Sequence, residues 1–186
     1  ELEGSDMVFI TAGMGGGTGT GSAPIIAKAA KEMDILTVGV ITKPFSFEGN
    51  LKLKQAELGI DYLGKYVDSL VVVSNDKLMQ VCDKNITMQD AFKLADDTLR
   101  QGVQGVTEIV TESGNVNVDF ADVKSILSNR GITHMGMGIA EGEDRADIAM
   151  RAAIESPLLE TSVDGAKAVL VNITGGLDLG LFEGND

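Results

Sequence analysis

Residues 13–21 read Gly-Met-Gly-Gly-Gly-Thr-Gly-Thr-Gly, and this run constrains the fold more than any other stretch. Before it, Met7-Val-Phe-Ile10 reads as a buried strand. After it, Ser22 to Lys31 reads as a helix with Pro24 in its first turn. Glycines admit positive φ and let backbone approach a ligand closely. A helix N-terminus adds unpaired N–H donors and a partial positive charge. Thr18 and Thr20 add hydroxyls without charge. A strand, a glycine loop and a helix start in that order can hold a di- or triphosphate. The plainer alternative is a glycine turn that serves close packing. The run is neither G-x-x-x-x-G-K-[ST] nor G-x-G-x-x-G. The next strand ends in Thr42-Lys43, where a dinucleotide site places an acid. Ser22 is not in a G-x-S-x-G elbow.

The elements that follow alternate. Ile35 to Thr42 is a nearly continuous apolar strand, as in a parallel sheet covered on both faces. Residues 42–48 form a loop, Asn50 to Leu63 a helix, and Ser69 to Val73 a third strand leading into a loop at Ser74–Lys77. This βαβαβ order predicts an α/β fold with a parallel, doubly wound sheet. Ligands of such sheets lie beyond the carboxyl ends of the strands, where all three loops open.

A long helix starts at Thr87 or Asp90 and runs to about Thr111, with one apolar stripe. Gly102 and Gly105 lie within it, which implies close packing against another element. Residues 112–118 break the period and Asp119 to Leu127 form a shorter helix. A strand near 135–140, a helix from Asp144 to about Glu155, and a strand at 168–173 complete the reading. The expected domains are 1–112, ending with the long helix, and 113–186.

At 186 residues, one domain or one and part of another is expected. The net charge of −13 argues against a nucleic-acid partner, whose binding needs basic patches. It also means that a bound polyphosphate relies on backbone N–H groups and Mg²⁺ rather than on a lysine cluster. No apolar run approaches the roughly 20 residues that span a membrane. The single Cys82 fits a reducing compartment, and one Cys with one His excludes a zinc site.

Three further groups each carry two readings. Glu48 and Lys52 are either an ordinary i,i+4 pair or contacts to ribose and phosphate. Asn75 follows the third strand. Phe92 and Asp96 share one face of the long helix: either a core ring and a solvated acid, or a ring stacked on a base and a carboxylate accepting guanine N1–H and its amine. Adenine offers no such donor pair. Asn117, Asp119 and Asp122 are either helix-capping and first-turn residues or groups that orient a hydrolytic water.

With the glycine run in place, further stretches resemble the tubulin/FtsZ family. They are Thr42-Lys-Pro-Phe-Ser-Phe-Glu-Gly49, Asn75-Asp-Lys-Leu78, Asp90-Ala-Phe92, Asn117-Val-Asp-Phe-Ala-Asp122, Gly142-Glu-Asp-Arg-Ala146 and Val171-Asn-Ile-Thr174. The resemblance spans essentially the whole chain, in the family's order. It implies a GTPase that binds GTP or GDP, with Mg²⁺ held mainly through the phosphates. Such a protein assembles head to tail with copies of itself and scaffolds the bacterial division ring. By resemblance, Gly15, Gly16, Gly17, Thr18, Gly19 and Thr20 bind phosphate. Glu48 and Lys52 take the ribose and phosphate side, while Asn75, Phe92 and Asp96 surround guanine. Asn117, Asp119 and Asp122 complete the neighbouring subunit's catalytic site. The implied setting is the cytoplasm at mid-cell, with tethering and regulatory proteins as further partners and no direct membrane insertion. Where the family usually has Arg, this chain has Lys52, a point charge rather than a planar fork.

Two rival classes stand beside this reading: a tubulin-like nucleotide-binding subunit that does not hydrolyse, and another α/β enzyme using the loop for a different phosphate ligand. The resemblance also places the family's first strand and first glycine loop before residue 1, so the 186 residues alone are expected to bind GTP weakly and to be inactive.

Overall fold

The computed structural model describes residues 2–81, 85–112, 118–155, 163–176, 178–180 and 183. In chain order these form β1 (Met7–Gly13), α1 (Thr18–Glu32), β2 (Leu36–Lys43), a 3-10 turn (Ser46–Glu48), α2 (Asn50–Leu63) and β3 (Ser69–Ser74). There follow α3 (Asn75–Val81), α4 (Met88–Thr111), α5 (Phe120–Leu127), β4 (Gly131–Ile132) and α6 (Arg145–Ile154).

The four strands make one sheet in the order β1-β2-β3-β4. Every pairing is parallel, with Met7 opposite Leu36, Val38 opposite Ser69, and Ser69 opposite Gly131. Parallel neighbours need crossover connections, and α1 and α2 supply the first two. Alternation along the strands then divides the core. Ile10, Ile41, Leu70 and Val72 join Ala23 and Ala27 of α1 and Ala56, Ile60 and Leu63 of α2 on one face. Leu36, Val38, Val40, Val71 and Val73 join Val123 and Leu127 of α5 on the other, with Leu99, Val103 and Val106 of α4 packed against them. The sheet is covered on both faces, as the doubly wound reading requires. β4 carries this same sheet past residue 112.

The structure differs from the sequence reading in four places. β1 is an edge strand in which only Ile10 is buried, because it pairs on one side alone. α1 begins at Thr18, so Pro24 is a buried interior residue rather than a first-turn one. The helix closes over the glycines themselves, with Gly21 N–H donating to Gly17 O at 3.1 Å. Ser74–Lys77 is not a loop, for α3 starts directly at Asn75. Among the described residues no strand forms at 135–140 or at 168–173. Apolar content does not make a strand without a ladder partner. The 135–140 segment lies instead against α6, with Gly136 and Gly138 pressed on the carbonyls of Ala153 and Ala149.

The two glycines inside α4 part company. A Cβ at Gly102 would lie 2.9 Å from Val40 Cγ1, so this glycine does let the helix approach the sheet. Gly105 faces open space. At the start of α4, Thr87 Oγ1 accepts the Asp90 N–H at 3.2 Å and donates to Asp90 Oδ2 at 2.6 Å. These bonds hold the Asp90 carboxyl below the usual range, the Thr87 bond first and the Lys93 bond second.

Candidate functional site

The glycine loop, the 3-10 turn and the start of α3 follow the carboxyl ends of β1, β2 and β3, so they gather on one edge of the sheet. Met14 N–H donates to Thr42 O at 2.9 Å and ties the loop to β2. Gly15 has φ +100° and donates its N–H to Thr20 Oγ1 at 2.8 Å. A Cβ at Gly15 would lie 2.8 Å from Lys52 O, and one at Gly19 would lie 2.9 Å from Gly13 O. Those two glycines are explained by packing. Around Gly16 and Gly17 nothing lies within 4 Å of a built Cβ. The packing reading of the run therefore accounts for Gly15 and Gly19, and it leaves Gly16 and Gly17 unexplained.

At Gly17, the N-cap of α1, no side chain caps the helix, and its first turn holds no acid. The N–H groups of Thr18, Gly19 and Thr20 start the helix without an acceptor inside it. With the open flank at Gly16 and Gly17, they form a neutral donor cradle suited to an anion.

Glu48 and Lys52 do form their i,i+4 pair, at 3.1 Å. Glu48 Oε1 also accepts the Phe45 N–H at 2.9 Å, which closes the 3-10 turn. The plain reading of this pair is thus realised, and it stands against the glycine loop through Lys52 O. Asp76, absent from the sequence reading of the site, joins the next segment: its Oδ1 accepts the Ser46 N–H at 2.9 Å. An acid in the first turn of a short helix was its only sequence signal.

Phe45 is fully buried and organises three rings. Phe47 stacks on it with centroids 4.9 Å apart, and Phe92 meets it edge-on at 5.3 Å. Phe92 remains 38% exposed, which leaves ring surface open to stack. Asn75 is 5% exposed, and its buried Oδ1 has no hydrogen-bond partner. An unanswered buried carbonyl oxygen costs about 1–3 kcal/mol, so the fold gains when a donor reaches it. Asp96 is exposed one turn beyond Phe92, at the end of a groove of about 850 Å³ between α4 and β1 that Phe9, Thr11 and Leu99 also line.

Asp119 and Asp122 are elsewhere. Asp119 is the N-cap of α5, and its backbone O accepts the Asp122 N–H at 2.9 Å. Its side chain makes no capping bond, so the local role does not use the carboxylate. The far end of α5 is fixed where Ser69 Oγ donates to Leu127 O at 2.7 Å. Ser69 begins β3, so α5 docks on the amino edge, opposite the glycine loop. Asn117 lies outside the described residues.

The tubulin/FtsZ family GTPase domain matches residues 1–83, and the FtsZ family C-terminal domain matches residues 131–186. An empty FtsZ dimer from M. jannaschii shares 44% identity and a TM-score of 0.93 over 99% of this chain and 53% of that one. The chain belongs to the tubulin/FtsZ family. A point mutant of the M. jannaschii FtsZ gives the same identity and TM-score over 55% of its length. This family member thus spans about half the length of those solved relatives. CetZ from Methanosaeta thermophila, at 21% identity and TM-score 0.69 over 88% of this chain and 47% of its own, shares the fold. α4 and α5 of the FtsZ-like chain lie between the two matched domains, and with the α5 N-cap Asp119 they carry Phe92, Asp96 and Asp122.

Proposed function

We propose that this chain is the central part of a cytoskeletal GTPase that polymerises head to tail and hydrolyses GTP between subunits, scaffolding a division ring at mid-cell in the cytoplasm. One observation carries the reading: the glycine loop and the docked end of α5 lie at opposite edges of one sheet. The 24-residue α4 spans about 36 Å, enough to carry the chain from one edge to the other. Asp119 and Asp122 are thereby directed away from the phosphates of their own subunit. Stacking a second copy head to tail apposes the two edges.

In this reading the Thr18, Gly19 and Thr20 N–H groups take phosphate oxygens, beside the open flank of Gly16 and Gly17. Asn75 Oδ1 accepts a donor from the nucleoside, Phe92 stacks, and Asp96 reads guanine. Mg²⁺ held mainly through the phosphates would supply charge neutralisation there. Asp119 and Asp122 of the neighbour accept hydrogen bonds from the attacking water and orient it.

The test is hydrolysis by the full natural chain as a function of concentration. Specific activity should rise as filaments form, and Asp122→Ala should keep GTP binding while losing turnover. Concentration-independent hydrolysis by a monomer would defeat the reading. Binding and assembly with no turnover at any concentration would favour the non-hydrolysing subunit.

A further inference from the structure

One carboxylate joins the amino edge of the sheet to α5. Asp68, the residue before β3, accepts the Thr37 N–H at 2.9 Å through Oδ2 and the Asn129 N–H at 3.2 Å through Oδ1. Its own N–H donates to Thr37 O at 2.8 Å. Its carbonyl accepts the N–H groups of Arg130 at 2.7 Å and Gly131 at 2.9 Å. The backbone and carboxylate of Asp68 thus join β2 to the turn that ends α5. The turn is conformationally demanding, with Asn129 at φ 54° and Gly131 at φ 72°.

The same turn occupies the last carbonyls of α5. Ser69 Oγ takes Leu127 O, Arg130 Nε donates to Ile126 O at 2.7 Å, and Arg130 Nη2 donates to Ser125 O at 3.0 Å. Three carbonyls that a helix end usually leaves to water are here engaged. Val123 and Leu127 seat the helix on the sheet. The hydrogen bonds at Asp68 fix the turn into which that helix runs.

We propose that Asp68 is a positioning residue for hydrolysis, setting the angle at which α5 presents Asp119 and Asp122 to the nucleotide of the adjoining subunit. The inference rests on the interfacial reading above. The lever is short: eight residues of helix span about 12 Å. A tilt of about 10° at the pinned end displaces the other by about 2 Å. Misplacement by about 1 Å is enough to cost roughly 100-fold in rate.

The experiment is Asp68→Asn in the full natural chain, compared with Asp122→Ala. Asn keeps the volume and one acceptor oxygen but cannot accept from both N–H groups. GTP affinity should stay within twofold of the parent, while kcat falls about tenfold or more. Mixing supplies a readout that a merely unstable fold would not give. Subunits carrying Gly17→Glu place a carboxylate at the phosphate cradle but keep an intact α5. Added to Asp68→Asn subunits they should raise turnover above the sum of the two alone. Parental kcat in Asp68→Asn, where Asp122→Ala abolishes turnover, overturns the positioning role alone. Parental turnover in Asp122→Ala overturns the interfacial reading and the positioning role with it. If Asp68→Asn does not fold, Asp68→Ser, which keeps one acceptor, takes its place, and an unchanged kcat there overturns the proposal.

Discussion

The Thr20 hydroxyl accepts the Gly15 backbone N–H at 2.8 Å and closes the glycine loop onto the first turn of α1. The bond holds Gly16 and Gly17 between two fixed points, so their exposed backbone is ordered before any ligand arrives. Preorganisation of this kind spares a ligand the entropy of ordering the loop.

The first prediction concerns that latch. Thr20→Val keeps the shape and removes the acceptor, leaving the N–H of buried Gly15 unpaired. Stability should fall by about 1–3 kcal/mol. GTP affinity should fall with it, and Thr20→Ser should restore both. Chemical denaturation and nucleotide titration measure the two effects, and an intact affinity in Thr20→Val would show that the latch does not order the cradle.

The second prediction separates the glycines. Gly15→Ala is strained by its φ of +100° and meets Lys52 O at 2.8 Å. It should destabilise the fold, and Gly19→Ser should do so too, through Gly13 O. Gly17 has φ −80° and open surroundings, so Gly17→Ala should leave the melting temperature nearly unchanged. If Gly17 faces phosphate, that variant should still bind GTP less well. Equal melting losses at all three positions would contradict the division.

The sequence carried the sheet clearly, because long apolar strands separated by glycine loops and amphipathic helices have few alternatives. It blurred wherever partners in space decide. Residues 135–140 and 168–173 have strand-like composition, yet a strand exists only through a ladder. The glycine run raised the expectation of an anion site, but no periodicity could tell Gly19, which meets Gly13, from Gly17, which meets nothing. Asp76 and Asp68 were invisible as tethers because their partners, Ser46, Thr37 and Asn129, are remote in the chain.

The third prediction concerns acid. Arg145 donates to Glu183 at 2.6 and 3.0 Å and to the Asp178 carboxylate at 2.7 Å, tying α6 to the segment near the end of the chain. The Arg145 bonds, and after them the Gly180 N–H, hold the Glu183 carboxyl down at about 2. The Arg145 bond also lowers Asp178. A depressed carboxyl adds stability that is present above its ordinary value, near 4.3 for Glu, and lost as pH falls through the folded one. The clamp should therefore hold at neutral pH and release between about pH 4.5 and 2. Carboxyl chemical shifts followed through an acid titration would report it. A Glu183 midpoint near the ordinary value would show the clamp absent in solution.

The last prediction concerns the base. Phe92 and Asp96 lie on one face of α4, and Phe92 is set by its edge contact with buried Phe45. If Phe92 carries the base, Asp96 is the next polar group along that face, one turn away. A carboxylate there accepts from guanine N1–H and the exocyclic amine together. Adenine presents an acceptor at N1, which a carboxylate repels. Removing a charged hydrogen-bond partner costs about 1.5–3 kcal/mol, or roughly 10- to 150-fold in affinity. Asp96→Ala should therefore weaken GTP by that factor and leave the weak binding of ATP unchanged. Phe92→Ala, which removes a stacking surface common to both bases, should weaken the two alike. Equal losses for GTP and ATP in Asp96→Ala would show that this carboxylate does not read the base.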